Sequence, residues 1–468
     1  MTHAMSGRAS HTAITDRVSL SSSPVPRVER EARVPRHSEG YMSGPRSASA
    51  VRAGRHLPGH GKRVLLVAPQ PFFTLRGTPM NVRRMASVLG KAGYEVHLAT
   101  FAPGDAVAIP GVTHHRAIHI PGLSEVPIGF SVSKVLHDAA LALLVTRLLL
   151  TRRFHLAHAV EESVFFTLPL ARARGTPVIF DLDSSMSDQL SYSGILRNRT
   201  MVRLVRALEA AALRRSTLAI TVCTALSDTV RELSPATRIA QIEDSPQDGA
   251  SRAPVPRRLA ELRRVWNPEA RPMAVYTGNF ASYQGLSLLF EALPYARQVC
   301  PSMRLLIVGG TPEEIRRTQR YLESLGVHEL VKFAGRQPPE DMSEYLALGD
   351  AVVSPRSEGT NTPLKLYDYM ASGRPIVATR LPTHTQVLDS RSAALAAPDP
   401  KSFGEKLGHV LAEPERYSAR GRAAQDIVRA EYSAEAFERK LLAAYRSVLD
   451  EEGVPESPGA FSATTSSM

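Results

Sequence analysis

The chain has 468 residues, with 57 Lys and Arg against 45 Asp and Glu (formal net charge +12), 43 % hydrophobic and 22 % charged residues. That balance excludes a wholly disordered chain, a collagen and a coiled coil, and the length suggests two or three domains. Two cysteines, Cys223 and Cys300, exclude a disulfide framework and a four-cysteine zinc site, and agree with a reducing cytoplasm.

Residues 1–60 hold nine Arg, no Lys and four acids among Ser, Pro and Gly. Such a segment buries too little apolar surface to offset its ordering entropy, so a disordered basic tail is expected, without the apolar core of a secretory signal. No basic run interleaved with aromatic residues suggests nucleic acid as a partner. From Val64 onward strand and helix patterns alternate. Short apolar runs suited to buried parallel strands fall at 64–69, 95–101, 155–160, 177–183, 216–223 and 238–244. Helical spacing falls at 79–93, 131–153, 163–174, 199–215 and 224–233. The 131–153 helix contains Ala139 to Leu150, broken by Arg147 and followed by Arg152 and Arg153. It is too short to span a bilayer and reads as a sheet-covering helix, or as a face for peripheral contact with anionic membrane.

The alternation lapses over 246–271, a Pro/Gly/Asp-rich linker. It resumes with strands at 274–278, 304–309, 331–335, 351–354, 375–379 and 393–397, and helices at 284–300, 312–325, 338–348, 362–372 and 400–411. A closing helix over 433–450 precedes a Ser/Thr-rich tail over 451–468. The expected fold is therefore α/β: two doubly wound Rossmann-like domains, 61–245 and 272–432, facing across a cleft at the carboxyl ends of their sheets.

The richest stretch runs from Arg356 to Pro375. Glu358-Gly359-Thr360-Asn361-Thr362 forms a turn ahead of a helix, with Thr362 suited to the N-cap and Pro363 to the first helical position. Backbone N–H groups at that helix start, with Arg356 and Lys365, suit a phosphate or diphosphate. Asp368, one turn in, could take a ribose. The plain alternative is a capped helix with a surface Lys365–Asp368 pair.

With Met370-Ala371, Gly373 and Pro375, this stretch resembles the donor-binding helix of retaining GT-B glycosyltransferases, the large family often called GT4. The ten-residue separation of Glu358 and Asp368 departs from the family's usual eight. The resemblance extends over about 62–450. Pro71 to Pro79, including Arg76, Gly77 and Thr78, is similar to a first Gly loop on the acceptor side. Tyr276-Thr277-Gly278-Asn279 to Gln284-Gly285 is similar to the loop holding the donor diphosphate, with neutral Asn279 and Gln284 where many members have Arg and Lys. Phe180 to Gln189 ends a strand facing the cleft. There Asp183 stands where relatives often have His, with three readings: contact to sugar and acceptor, an Asp181–Asp183 metal pair, or a helix cap. Glu161 and Glu162 either hold acceptor hydroxyls or cap the following helix. His384 either lies near the nucleotide or in a surface loop.

The resemblance implies a cytoplasmic, metal-independent, retaining hexosyltransferase without cofactors. It would move a sugar from a nucleotide-diphosphate donor to a hydroxyl of a glycan or lipid-linked acceptor, with Asp183, Arg356 and Lys365 as its catalytic groups. The competing readings are a non-catalytic nucleotide- or glycan-binding module and a nucleotide-sugar 2-epimerase.

Overall fold

The structure, a computed structural model, describes residues 59–450 except 75–76, 124–125, 127–130 and 187–198. These belong to one compact unit, His56–Met468. Both expected tails, apart from residues 59 and 60, lie outside the described residues, as do Arg76 and Ser187 to Gln189.

Two parallel sheets organise the chain. The first comprises β1 (Arg63–Ala68), β2 (Glu95–Thr100), β3 (Val112–Arg116), β4 (Leu156–Val160), β5 (Val178–Leu182), β6 (Leu218–Thr221) and β7 (Ile239–Gln241), in spatial order β3-β2-β1-β4-β5-β6-β7. The second comprises β8 (Met273–Thr277), β9 (Arg304–Val308), β10 (Val331–Gly335), β11 (Ala351–Ser354), β12 (Ile376–Thr379) and β13 (Ala394–Ala396), in order β10-β9-β8-β11-β12-β13. Apolar strands such as Val64 to Ala68 and Met273 to Tyr276 are wholly buried, because helices cover both faces. These are two Rossmann-like domains. In each, strand order reverses between two central strands, β1/β4 and β8/β11, and the crevice beyond their carboxyl ends is where open α/β sheets take ligands.

Three elements depart from the sequence expectation. The sequence carries no strand signal at β3, because Val112-Thr-His-His-Arg116 at the sheet edge has one apolar residue and no alternation. The 246–271 linker is not open chain: it holds the helices Asp248–Ser251 and Pro256–Trp266. Leu262 is buried in the second domain's core, and Leu259 and Trp266 pack against it. A further helix, Pro414–Glu431, packs on the Leu364–Ala371 helix. The last helix, Ala434–Leu449, returns to the first domain, where Phe437, Leu441, Tyr445 and Val448 join the core of Val64, Leu66, Met85 and Leu89. The chain thus crosses between the domains twice.

Candidate active site

On the second-domain side, the site is built around the exit of β11. Arg356 is 7 % exposed. Its Nε donates to the Glu358 carbonyl at 2.9 Å, Nη1 to the Asn361 carbonyl at 3.2 Å and Nη2 to Asn361 Oδ1 at 3.1 Å, and the guanidinium lies 5.1 Å from the Tyr283 ring centre. One planar fork therefore folds the 356–361 turn around itself. Beneath it, His384 is fully buried, with Nε2 2.8 Å from Ser354 Oγ and Nδ1 2.9 Å from the Thr379 carbonyl. Thr379 Oγ1 donates to the Arg356 carbonyl at 2.6 Å. Burial holds His384 neutral, down to about 3. It is not a surface-loop histidine: it fastens the turn from beneath.

Lys365 does not pair with Asp368. Its Nζ donates to Gln284 Oε1 at 2.8 Å and sits 4.0 Å from the Tyr276 ring centre. A Cβ added at Gly278 would stand 3.4 Å from that Nζ, so the Gly278 turn flanks it. Gln284 is brought there by Gly285, whose φ of +73° and approach to Pro355 (a Cβ would lie 1.9 Å from its carbonyl oxygen) require glycine. Burial and the neighbouring Arg356 pull the Lys365 ammonium well below the ordinary lysine range, and burial also lowers Arg356. Neither cation has a carboxylate partner among the described residues. Two cationic side chains placed side by side in this way can bind an anion.

Other expected donor residues are placed differently. The Leu364–Ala371 helix has Pro363, not Thr362, at its N-cap, and Thr362 is 3 % exposed with an unpartnered Oγ1. Proline's fixed φ and missing N–H suit Pro363 to the boundary, so the side-chain cap expected of Thr362 is not formed. The Glu358 side chain is exposed, and Asn279 folds back, its Oδ1 accepting from Ala281 N at 3.2 Å. Asp368 is 8 % exposed, accepts from Gln247 N at 2.8 Å, and is raised by burial to about 7.

The first-domain side is acidic. Asp183 follows β5, and Thr78 bonds its carboxyl. Burial, then Asp181, Glu161 and Asp244, hold it well above the carboxylate range. Glu161 accepts from Ser184 Oγ at 3.1 Å and is raised to about 7, first by burial and then by Glu162. Glu162 pairs with Lys134 of the Val132–Thr151 helix. Neither glutamate caps the Val164–Ala173 helix, which has no side-chain cap; both lie in the 3-10 turn Glu161–Ser163. Asp181 turns back into the fold, its Oδ2 3.0 Å from His158 Nε2, and His158 Nδ1 lies 2.7 Å from Tyr445 Oη. Asp181 and Asp183 therefore face different partners, and among the described residues no group of three or more His, Cys, Asp or Glu is arranged for a metal. Among the described residues, nothing apart from Gly77's own chain neighbours and helix backbone lies within 4 Å of a Cβ built there.

The two sides meet. Asn361 Nδ2 donates to the Asp183 carbonyl at 3.3 Å, while Gln386 accepts from Ala225 N at 2.8 Å and donates to the Thr360 carbonyl at 2.8 Å. Arg84, from the Gly77–Lys91 helix, donates to the Ser245 and Pro246 carbonyls at 2.7 Å each, anchoring the first crossing. Sequence reasoning missed Arg84, Gln386 and Asp244, whose roles arise only when distant segments converge.

This fold and site define a GT-B enzyme. A family model described as "Glycosyl transferase 4-like domain" matches residues 76–244, and one described as "Glycosyl transferases group 1" matches 271–413. The chain belongs to the group 1, GT4-like glycosyltransferases. It is 23 % identical over 369 residues to phosphatidyl-myo-inositol mannosyltransferase of Mycobacterium leprae, covering 77 % of this chain and 91 % of that protein. It is 26 % identical over 397 residues to 2-deoxystreptamine N-acetyl-D-glucosaminyltransferase of Streptomyces fradiae, covering 80 % and 91 %. The solved sucrose-phosphate synthase of Thermosynechococcus elongatus shares the fold, with a TM-score of 0.70, 18 % identity, and 83 % and 100 % coverage.

Proposed function

We propose that the enzyme transfers a sugar from a nucleotide-diphosphate donor to a hydroxyl of a glycan or lipid-linked acceptor, with retention at the anomeric carbon and without a metal. The observation that carries this is the pair of uncompensated cations, Arg356 and Lys365, at the β8/β11 switch point. A diphosphate leaving group develops negative charge as the sugar bond breaks, and preorganised cations and N–H groups stabilise that charge most where water is excluded. Asp368, with one oxygen held by Gln247, has the other to offer a ribose. Asp183, at the seam between the domains, faces the transferred sugar. The test is a panel of UDP-, GDP- and ADP-sugars. Transfer or slow donor hydrolysis, with the product's anomeric configuration unchanged and activity undiminished by chelator, is expected. An isomerised donor, or binding without turnover, overturns the proposal.

We further infer peripheral contact with the anionic cytoplasmic face of a membrane. No helix among the described residues is long and apolar enough to cross one. The Val132–Thr151 helix instead exposes Leu136, Leu143 and Leu150 at seven-residue spacing, beside Arg147, Arg152 and Arg153. Such a stripe suits an interfacial helix. Sedimentation with anionic vesicles that is lost on changing Leu143 and Leu150 to Gln is the expected result; equal recovery with neutral vesicles contradicts it.

A further inference from the structure

The Thr224–Leu233 helix of the first domain begins without a side-chain cap of its own. Its N-cap residue is Cys223, which makes no side-chain cap hydrogen bond; a thiol is a weak acceptor, and cysteine is not among the residues that close helix starts. The first backbone N–H groups of a helix have no partner inside it. One of them, the Ala225 N–H, is met from the other domain. Gln386 Oε1 accepts it at 2.8 Å, while Gln386 Nε2 donates to the Thr360 carbonyl at 2.8 Å. One amide thus spends its acceptor on the first domain and a donor on the turn that Arg356 folds.

Gln386 is itself firmly placed. It closes the Pro382–Thr385 helix, whose His384 is fastened to Ser354 and to the Thr379 carbonyl. Three successive residues, 360 to 362, reach the seam. Thr360 bonds Gln386, Asn361 Nδ2 donates to the Asp183 carbonyl at 3.3 Å, and the Thr362 backbone lies against the Cys223 thiol, which is 2 % exposed. Thr383 Oγ1 donates at 2.7 Å to the Asn361 carbonyl, the same carbonyl that takes Arg356 Nη1.

We propose that Gln386 is a positioning residue for sugar transfer: it caps the Thr224–Leu233 helix across the seam and so holds the 356–361 turn in register with Asp183. Its effect on rate rests on the transfer reading. The cation pair does not need the cap, because Arg356 and Lys365 keep their contacts to Tyr283, Gln284 and Tyr276 within the second domain. What needs it is the placing of the bound donor's sugar against the first domain, and the exclusion of water between two domains that otherwise move against each other.

Gln386→Ala in the full chain tests this. Transfer kcat is expected to fall about tenfold, the worth of one or two neutral hydrogen bonds, with donor affinity within about twofold of native and a larger share of donor lost to water. The chain's two cysteines give a readout independent of activity, Cys223 buried at the seam and Cys300 buried in the second domain's core. Labelling by an aromatic disulfide reagent, located by peptide mass, is expected to become about tenfold faster at Cys223 and to stay unchanged at Cys300. Gln386→Glu keeps an acceptor for the Ala225 N–H but has no donor for Thr360. It is expected to restore slow labelling of Cys223, since a carboxylate suits a helix start, without restoring kcat; these two readouts decide alone if the alanine variant does not fold. A native kcat in Gln386→Ala, a loss confined to donor affinity, or equal acceleration at both cysteines overturns the inference. If no nucleotide-sugar reacts, the transfer reading falls, while the labelling rates still decide whether Gln386 holds the seam.

Discussion

Changing Lys365 to Met separates the two effects of that ammonium. In the unliganded protein it lies 2.8 Å from an amide oxygen and 4.0 Å from an aromatic ring centre, beside Arg356, with no anion to pair with. Its pKa is depressed in the folded state. The unfolded chain therefore binds a proton that the folded chain resists, and stability below about pH 10 is reduced, recovering only as the pH rises through the unfolded value. Methionine keeps the length and a favourable ring contact but leaves the buried Gln284 amide oxygen without its donor, a cost that offsets removal of the buried charge, so the unliganded Lys365→Met protein is expected to melt close to the native one. Donor binding is expected to change more. A charge-assisted hydrogen bond is worth about 1.5–3 kcal/mol, so affinity for the donor should fall about 10- to 150-fold. At a donor concentration of about 100 times the native dissociation constant, native stabilisation is about 2.7 kcal/mol; after a roughly 30-fold loss it is about 0.9 kcal/mol. Thermal melts with and without the reactive nucleotide-sugar measure both quantities. Unchanged donor affinity, or an unliganded variant destabilised by more than about 1 kcal/mol, would refute the claim that this lysine is kept unpaired for the diphosphate.

Arg356→Lys keeps the charge but cannot reach the Glu358 and Asn361 carbonyls and Asn361 Oδ1 together; kcat/KM should fall by about tenfold or more, and a variant as active as the native enzyme would mean that charge alone matters. His384→Ala leaves the Ser354 hydroxyl and the Thr379 carbonyl without their partner in a closed interior and should cost about 2–4 kcal/mol in denaturant unfolding; a loss under about 0.5 kcal/mol contradicts the fastening role. Glu161 and Asp368, raised to about 7, and Asp244, raised to about 6, hold protons that the unfolded chain releases near pH 4. Their contribution to unliganded stability is full below that pH and is lost as the pH rises to about 7. The melting temperature should therefore decline between about pH 5 and pH 8, and Glu161→Gln should flatten part of the decline; a flat native profile would show these carboxyls to be ordinary.

Much of the frame was legible because a buried parallel strand must be apolar throughout, and runs such as Val64 to Ala68 or Ala351 to Val353 have few other uses. β3 was not, because an edge strand with one apolar residue carries no such constraint. The site divides along the same line. Arg356, Lys365 and the Gly278 turn sit within a local strand–turn–helix pattern, so chain order alone brings them near the second sheet's carboxyl edge. Where each points depends on residues far away. Lys365 shares a helix face with Asp368 by spacing, yet it turns to Gln284 and Tyr276, while Asp368 turns to the crossing segment at Gln247. The loop around β8, with neutral Asn279 and Gln284, reads by itself as a weakened phosphate loop. In the fold the missing positive charge is supplied from the next unit of the sheet, and Gln284 becomes the acceptor that aims it. A charge carried by one segment of a site and absent from another leaves the local motif looking defective, so a reading of function must count charges across the assembled site.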